Sequence, residues 1–156
     1  LDVLILRDPR ESAKKCSLTP LRGRPGIRFV SYARDRRCDG SGRVLLHPDG
    51  EEIGPSDRGH GILLVDCSWR RLPELLASID GDSPRRRLPA LSTAYPRKSR
   101  LFQDPETGLA SIEALYAAAV LLGEPCRELL AGYRWAEGFL AANPALSASG
   151  SLRLTS

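Results

Sequence analysis

The residues best placed to do chemistry are Asp66-Cys67-Ser68-Trp69, which directly follow Ile62-Leu63-Leu64-Val65, an apolar run matched in length within the amino-terminal two thirds only by Val3 to Leu6. A carboxylate, two small polar groups and an aromatic at the end of a buried strand stand where open α/β sheets bind ligands. Asp66 could accept a proton there, and the indole of Trp69 could face a cation. The same types also suit a structural role, with Asp66 or Ser68 capping a following helix and Trp69 packed in the core. Only His47 and His60 are histidines, and Cys16, Cys38, Cys67 and Cys126 are too widely spaced for a Cys-x-x-Cys pair, so no metal site is expected. The thiols are read as free, with a Cys16 to Cys38 bridge as the alternative.

These groups need a scaffold. The chain has 156 residues, 42% hydrophobic and 27% charged, enough for a real core. Residues 2–6 read as a buried strand stopped by Asp8-Pro9, 27–33 and 44–46 as further strands, and 62–65 as the most buried one. Leu72, Leu75, Leu76 and Ile79 recur at helical spacing, so 70–79 predicts an amphipathic helix ended by Gly81. Residues 84–87 read as a basic loop, and 90–94 as a short strand closed by Tyr95-Pro96. Helices are expected over 109–122, 125–131 and 133–142, and a mobile end over 144–156. The resulting fold class is α/β: a sheet domain over 1–104, an α-helical carboxy-terminal subdomain over 105–143 and a flexible tail over 144–156.

Charge is segregated. Arginine supplies 20 of the 23 basic residues; residues 7–43 carry a net +7, residues 70–100 a net +5 and residues 101–156 a net −3. An arginine-rich amino-terminal surface suits phosphate, so nucleic acid is the first partner to consider, against a merely solvated surface. No apolar run approaches the ~18 residues of a membrane span, and no charged-then-apolar leader opens the chain; a soluble cytoplasmic protein with no membrane partner is expected. The chain contains no Met, which suggests that Leu1 is not the natural start.

Six motifs in order then point to a family. Ile62 to Trp69 resembles the "LxDCSW" signature of the small-subunit (16S/18S) ribosomal RNA aminocarboxypropyltransferases, in the form of an archaeal-type member. Lys14-Lys15-Cys16-Ser17 is similar to that family's "KKC" followed by Ser or Thr. Leu46-His47-Pro48 resembles "LSP", with His47 in place of Ser, and Leu88-Pro89-Ala90-Leu91 resembles the start of "LPxLxAANP", from which Ser92 to Pro96 departs. Residues 109–114 look like "LSxxEA", and Tyr133 to Asn143 like "FxWGxxFLxxN". The resemblance spans residues 14–143.

The resemblance implies a SPOUT-like, trefoil-knotted sheet domain that holds S-adenosylmethionine against the helical part. It implies an apolar slot for adenine from Leu46, Pro48, Trp69, Leu109 and Ile112, backbone contacts to ribose and adenine from Val65, Leu88 and Thr107, and a contact from Ser17 to the carboxylate of the amino-acid chain. The reaction implied is transfer of the 3-amino-3-carboxypropyl group to N3 of a uridine or pseudouridine, with release of methylthioadenosine during ribosome biogenesis. Trp69 beside the sulfonium could enclose the methyl group and leave the longer chain in line with the nucleophile. Asp66 is the candidate catalytic base, and Glu113 either complements its helix dipole or contacts substrate. Phosphate contacts are expected from Lys14, Lys15, Arg22, Arg24, Arg28, Arg36, Arg37, Arg85, Arg86 and Arg87. The partner is small-subunit rRNA or a pre-ribosomal particle, and the protein is read as a monomer with no metal. Two rivals are an S-adenosylmethionine-dependent RNA methyltransferase, which differs in cofactor orientation, and a non-catalytic RNA-binding assembly factor.

Overall fold

All five residues of Val3–Arg7 are buried, which a strand achieves only in the interior of a sheet covered on both faces. The computed structural model describes residues 1–12, 14, 16–95 and 109–146. In chain order its strands are β1 (Val3–Arg7), β2 (Ile27–Ser31), β3 (Cys38–Asp39), β4 (Arg43–Glu52), β5 (Gly61–Asp66), β6 (Ile79–Asp80) and β7 (Arg85–Arg87), and its α-helices are α1 (Leu72–Leu76), α2 (Ser111–Leu121) and α3 (Ala136–Ala142). The main sheet runs β2-β1-β5-β4-β7 with every pair parallel, and β3 pairs with β6 in a second, two-stranded sheet.

The two-residue strand period divides the side chains between two faces. Val3, Ile5, Val44, Ile62 and Leu64 pack with Ile112, Leu115 and Ala118 of α2 and Phe139 of α3, while Leu4, Leu6, Leu45 and Leu63 pack on the other face with Leu75 of α1 and Cys38. Eight of the eleven residues of α2 are buried; its run of alanines lets it lie close to the sheet. The chain is thus a mixed α/β protein built on a parallel sheet.

Several elements depart from the sequence expectation. Helix α1 ends at Leu76, because Ile79 leaves the helical stripe to pair with Cys38 in the small sheet. The basic loop expected at 84–87 is the edge strand β7, whose exposed arginines are the charges that protect such edges from further pairing. Residues 90–94 form no strand among the described residues, and 125–131 contains a short 3-10 helix, Arg127–Leu130, in place of an α-helix. Leu146, inside the expected mobile end, is buried in the core; residues 147–156 lie outside the described residues. All four cysteines are free, with Cys16 and Cys38 packed on opposite faces of the sheet.

Two features aim the sheet at a site. From β1 the chain goes to β2 at one edge, and after β5 it goes to β7 at the other, so the carboxyl ends of adjacent β1 and β5 mark the switch point where open sheets bind ligands. Strand β4 pairs Leu46 with Arg86 and then Glu51 with the same Arg86, so His47-Pro48-Asp49-Gly50 bulges out beside β7. A Cβ on Gly50 would strike the Arg85 backbone, which only glycine avoids.

Candidate active site

In the β1/β5 register, Arg7 lies opposite Asp66 at the switch point. Arg7 Nε donates to Asp66 Oδ2 at 3.1 Å, and Cys16 Sγ donates to the same oxygen at 3.0 Å. The other arm of Arg7 reaches Cys16 Sγ at 3.2 Å and Thr19 Oγ1 at 3.3 Å, and the guanidinium lies 4.7 Å from the Phe29 ring centre. Only 9% of the Arg7 side chain and 13% of that of Asp66 is exposed, so this ion pair is held in low dielectric. Burial and then the Asp66 contact raise the Cys16 thiol, which keeps it a protonated donor. Burial, followed by the charges of Asp8, Asp66 and Glu11, pushes Cys67 up to about 12, so it is no thiolate nucleophile at neutral pH.

A second buried pair braces the first. Arg71 Nε donates to Asp8 Oδ2 at 2.9 Å, and Asp8 is only 1% exposed. Burial raises the Asp8 carboxyl, but hydrogen bonds from Arg71 and the Arg10 amide, with their charges, outweigh it and hold it below the ordinary range. Glu11 stands nearby without a cation among the described residues, and burial, Asp66 and Asp8 raise its carboxyl.

Two cavities adjoin this cluster and share Leu109 and Ser111. One, of about 350 Å³, is lined by Asp66, Cys16, Ser17, Glu11 and Tyr95 as well. The other, of about 520 Å³, gathers Leu46, His47, Pro48, Val65, Cys67, Arg86 and Leu88. Its size lies in the ~300–1,000 Å³ range of small-molecule sites. His47 is buried, and its Nδ1 accepts the Asp49 N–H at 3.0 Å, which makes it a brace of the β4 bulge.

The shared wall is the start of α2. Ala110 has no capping side chain, so the helix borrows one: Ser17 Oγ accepts the Ile112 N–H at 3.0 Å from 95 positions away. That bond leaves the hydroxyl proton of Ser17 to donate to an anion. Glu113, wholly buried, accepts from Ala110 N, Thr93 Oγ1, Ala94 N and Tyr133 Oη at 2.6–2.9 Å, filling the four acceptor positions of a carboxylate. Its expected alternative as a substrate contact is thereby excluded; it ties the segment at 93–95 and Tyr133 to the head of α2.

The larger cavity therefore collects Leu46, Pro48, Val65, Leu88 and Leu109 from the expected cofactor residues, and the smaller one Ser17 and Asp66. Ile112 is buried beneath the wall, lining neither cavity, and Thr107 lies outside the described residues. Trp69 is 51% exposed, lies outside both linings and has the Arg70 guanidinium 5.6 Å from its ring, so a core role is excluded.

The expected phosphate contacts divide. Arg86 donates to buried Asp57 at 2.9 Å, Arg37 makes a two-pronged contact with Asp80, Arg87 reaches Glu52 at 3.4 Å and Arg24 lies 3.8 Å from Glu128. Arg86 thus serves the fold and the cavity wall rather than phosphate, because its acid partner is desolvated. Lys14, Arg22, Arg28, Arg36 and Arg85 are exposed and form no ion pair among the described residues; Lys15 lies outside them. Arg7, Glu11 and Tyr95 escaped the sequence analysis. Charge counting could not separate Arg7 from the surface arginines, since its role comes from the cross-strand register.

Residues 44–149 match the family described as "Ribosome biogenesis protein, C-terminal". The chain is 35% identical over 149 residues to a 16S rRNA aminocarboxypropyltransferase of Vulcanisaeta distributa, covering 90% of this chain and 77% of that one. It is 34% identical over 104 residues to the 16S enzyme of Halobacterium salinarum, with 64% and 59% covered, and 34% identical over 112 residues to the 18S rRNA aminocarboxypropyltransferase of Saccharomyces cerevisiae, with 68% and 32% covered. The solved structure of the SAM-dependent rRNA:acp-transferase Tsr3 from Vulcanisaeta distributa superposes with a TM-score of 0.72 at 29% identity, covering 96% of this chain and 83% of that one.

Proposed function

The chain belongs to the family of small-subunit rRNA aminocarboxypropyltransferases, and from this premise we propose that it transfers the 3-amino-3-carboxypropyl group of S-adenosylmethionine to N3 of a uridine or pseudouridine in small-subunit rRNA. The observation that carries this reading is the pair of adjoining cavities at the β1/β5 switch point, one lined by Leu46, Pro48, Leu88 and Leu109 and one holding Asp66 and Ser17. The residues fit the donor: Leu46, Pro48, Leu88 and Leu109 form a slot suited to adenine, with backbone groups at Val65 and Leu88 for ribose and ring edges. Thr107 and Ile112 belong to this slot in the proposal. Ser17 donates its hydroxyl proton to the carboxylate of the transferred chain.

S-adenosylmethionine supplies an electrophilic carbon on a sulfonium. Asp66 accepts the N3 proton through Oδ1, which takes no hydrogen bond among the described residues, while Arg7 and Cys16 hold Oδ2. N3 then bonds to the chain's terminal carbon as its bond to sulfur breaks, and methylthioadenosine leaves. In the proposal Trp69, two residues beyond Cys67 and outside both linings, turns its ring to the sulfonium and shields its methyl group. Lys14, Arg22, Arg28, Arg36 and Arg85 provide phosphate contacts as free cations; Lys15, Arg24, Arg37 and Arg87 complete the basic surface, the last three through guanidiniums already shared with acids, while Arg86 stays with Asp57.

The proposed fold carries a SPOUT-like knot, with residues 1–104 binding cofactor and RNA, residues 105–143 as a helical subdomain and residues 144–156 as a tail. Its support is the parallel sheet ahead of residue 88 and the α-helices after residue 110. Among the described residues no helix is long and apolar enough to cross a membrane, and no His/Cys/Asp/Glu group could hold a metal ion. We place its action in the cytoplasm as a monomer, on rRNA or a pre-ribosomal particle. Chromatography of the co-product tests the reading: methylthioadenosine formed only with rRNA present is expected. S-adenosylhomocysteine would make the protein a methyltransferase, and neither product would leave an RNA-binding factor.

A further inference from the structure

We infer that the smaller cavity is the acceptor-base site and that Tyr95 is its stacking wall, against which the pyrimidine extruded from the RNA lies flat. This inference rests on the acceptor class proposed above. Among the described residues three large hydrophobic side chains are exposed, Leu1, Trp69 and Tyr95, and of these only Tyr95 lines the cavity that contains Asp66.

Its exposure is held in place. The Tyr95 N–H donates to Thr93 Oγ1 at 2.9 Å, and that hydroxyl donates to Glu113 Oε1 at 2.6 Å. Asn143 grips the same segment from the other side, accepting the Ser92 N–H and donating to the Ser92 carbonyl, both at 2.7 Å. The ring itself meets Trp135 edge-on at 5.1 Å, and Trp135 meets Tyr133, whose hydroxyl returns to Glu113. A tyrosine anchored through both its backbone and its ring, yet 37% exposed at a cavity mouth, is a pre-organised aromatic surface.

Position and chemistry agree. A base lifted out of its stack needs an aromatic face to replace the lost neighbours and polar groups for its edge. Tyr95 offers the face, and Ser12 and Asp66 offer the edge contacts within one cavity of about 350 Å³. The wall at Leu109 and Ser111 is shared with the larger cavity, so a ring seated on Tyr95 lies in the cavity that adjoins the proposed cofactor slot.

The test uses the full chain with Tyr95→Ala, Tyr95→Phe and Tyr95→Leu. Fluorescence anisotropy measures binding of a labelled oligouridylate and of an abasic oligomer of the same length. Wild type and Tyr95→Phe should prefer the oligouridylate, while Tyr95→Ala and Tyr95→Leu should lose roughly 5- to 100-fold of that preference and bind the abasic oligomer as wild type does. In transfer assays the loss should appear in KM for rRNA, with S-adenosylmethionine affinity by calorimetry unchanged. An undiminished preference in folded Tyr95→Leu overturns the inference, as does an equal loss on the abasic oligomer. A wild type that prefers the base through Tyr95 but transfers nothing would instead contradict the proposed reaction.

Discussion

Arg7 and Asp66 face each other across adjacent parallel strands, and the Nε to Oδ2 bond of 3.1 Å joins the ends of β1 and β5 where the two cavities begin. With both side chains about nine-tenths buried, the pair fixes the carboxylate through Oδ2 and leaves Oδ1 without a hydrogen bond among the described residues. Replacing Arg7 by Met would strand a buried charge, and a loss of about 3–5 kcal/mol of stability is expected by denaturant unfolding. Asp66→Asn should bind S-adenosylmethionine as wild type does yet transfer at least about 100-fold more slowly; full activity would remove Asp66 as the base.

Glu113 is the hub that lets Ser17 and Tyr95 share one wall. Glu113→Gln keeps the shape but turns two acceptor positions toward donors, so a loss of more than about 2 kcal/mol is expected. Tyr133→Phe, which removes one of four donors, should cost about 1 kcal/mol. Equal stability of Glu113→Gln and wild type in thermal melts would contradict this role.

The buried Asp8–Arg71 pair predicts a specific acid response. Its carboxyl sits below its unfolded value near 3.8, so its stabilisation is present above that value and disappears as pH falls through the lower folded one. Stability plotted against pH should therefore drop below about pH 4, and Asp8→Asn should flatten that segment. A variant with an unchanged acid slope would show that Asp8 is not the linked group.

Arginines 85 and 86 are neighbours with different tasks. Arg85 is exposed without an acid partner among the described residues, whereas Arg86 is tied to buried Asp57. Arg85→Gln should lower the salt slope of rRNA binding by about 0.7–0.9 while leaving stability unchanged. Arg86→Gln should do the reverse, and a matching slope change in both would assign them one role.

Much of this arrangement was legible in the residues. The apolar runs placed β1 and β5 because strands buried on both faces leave an unmistakable pattern, shorter runs placed the edge strand β2 and the first half of β4, and Asp66-Cys67-Ser68-Trp69 marked the carboxyl end of β5. What could not be read was register: it pairs Arg7 with Asp66 across 59 positions and brings Ser17 to the head of α2 across 95. Ile79 satisfied helical spacing and β pairing alike, and the small sheet decided between them. The triple arginine at 85–87 looked like one basic loop; the edge strand separates an outward Arg85 from an Arg86 drawn inward by Asp57.

The most direct test supplies S-adenosylmethionine labelled separately in its methyl and carboxyl groups to the protein with unmodified small-subunit rRNA. Carboxyl label alone should enter the RNA, at a rate that falls in Asp66→Asn. Methyl label in the RNA, or neither label under conditions where the RNA is bound, would contradict the transfer of the aminocarboxypropyl group.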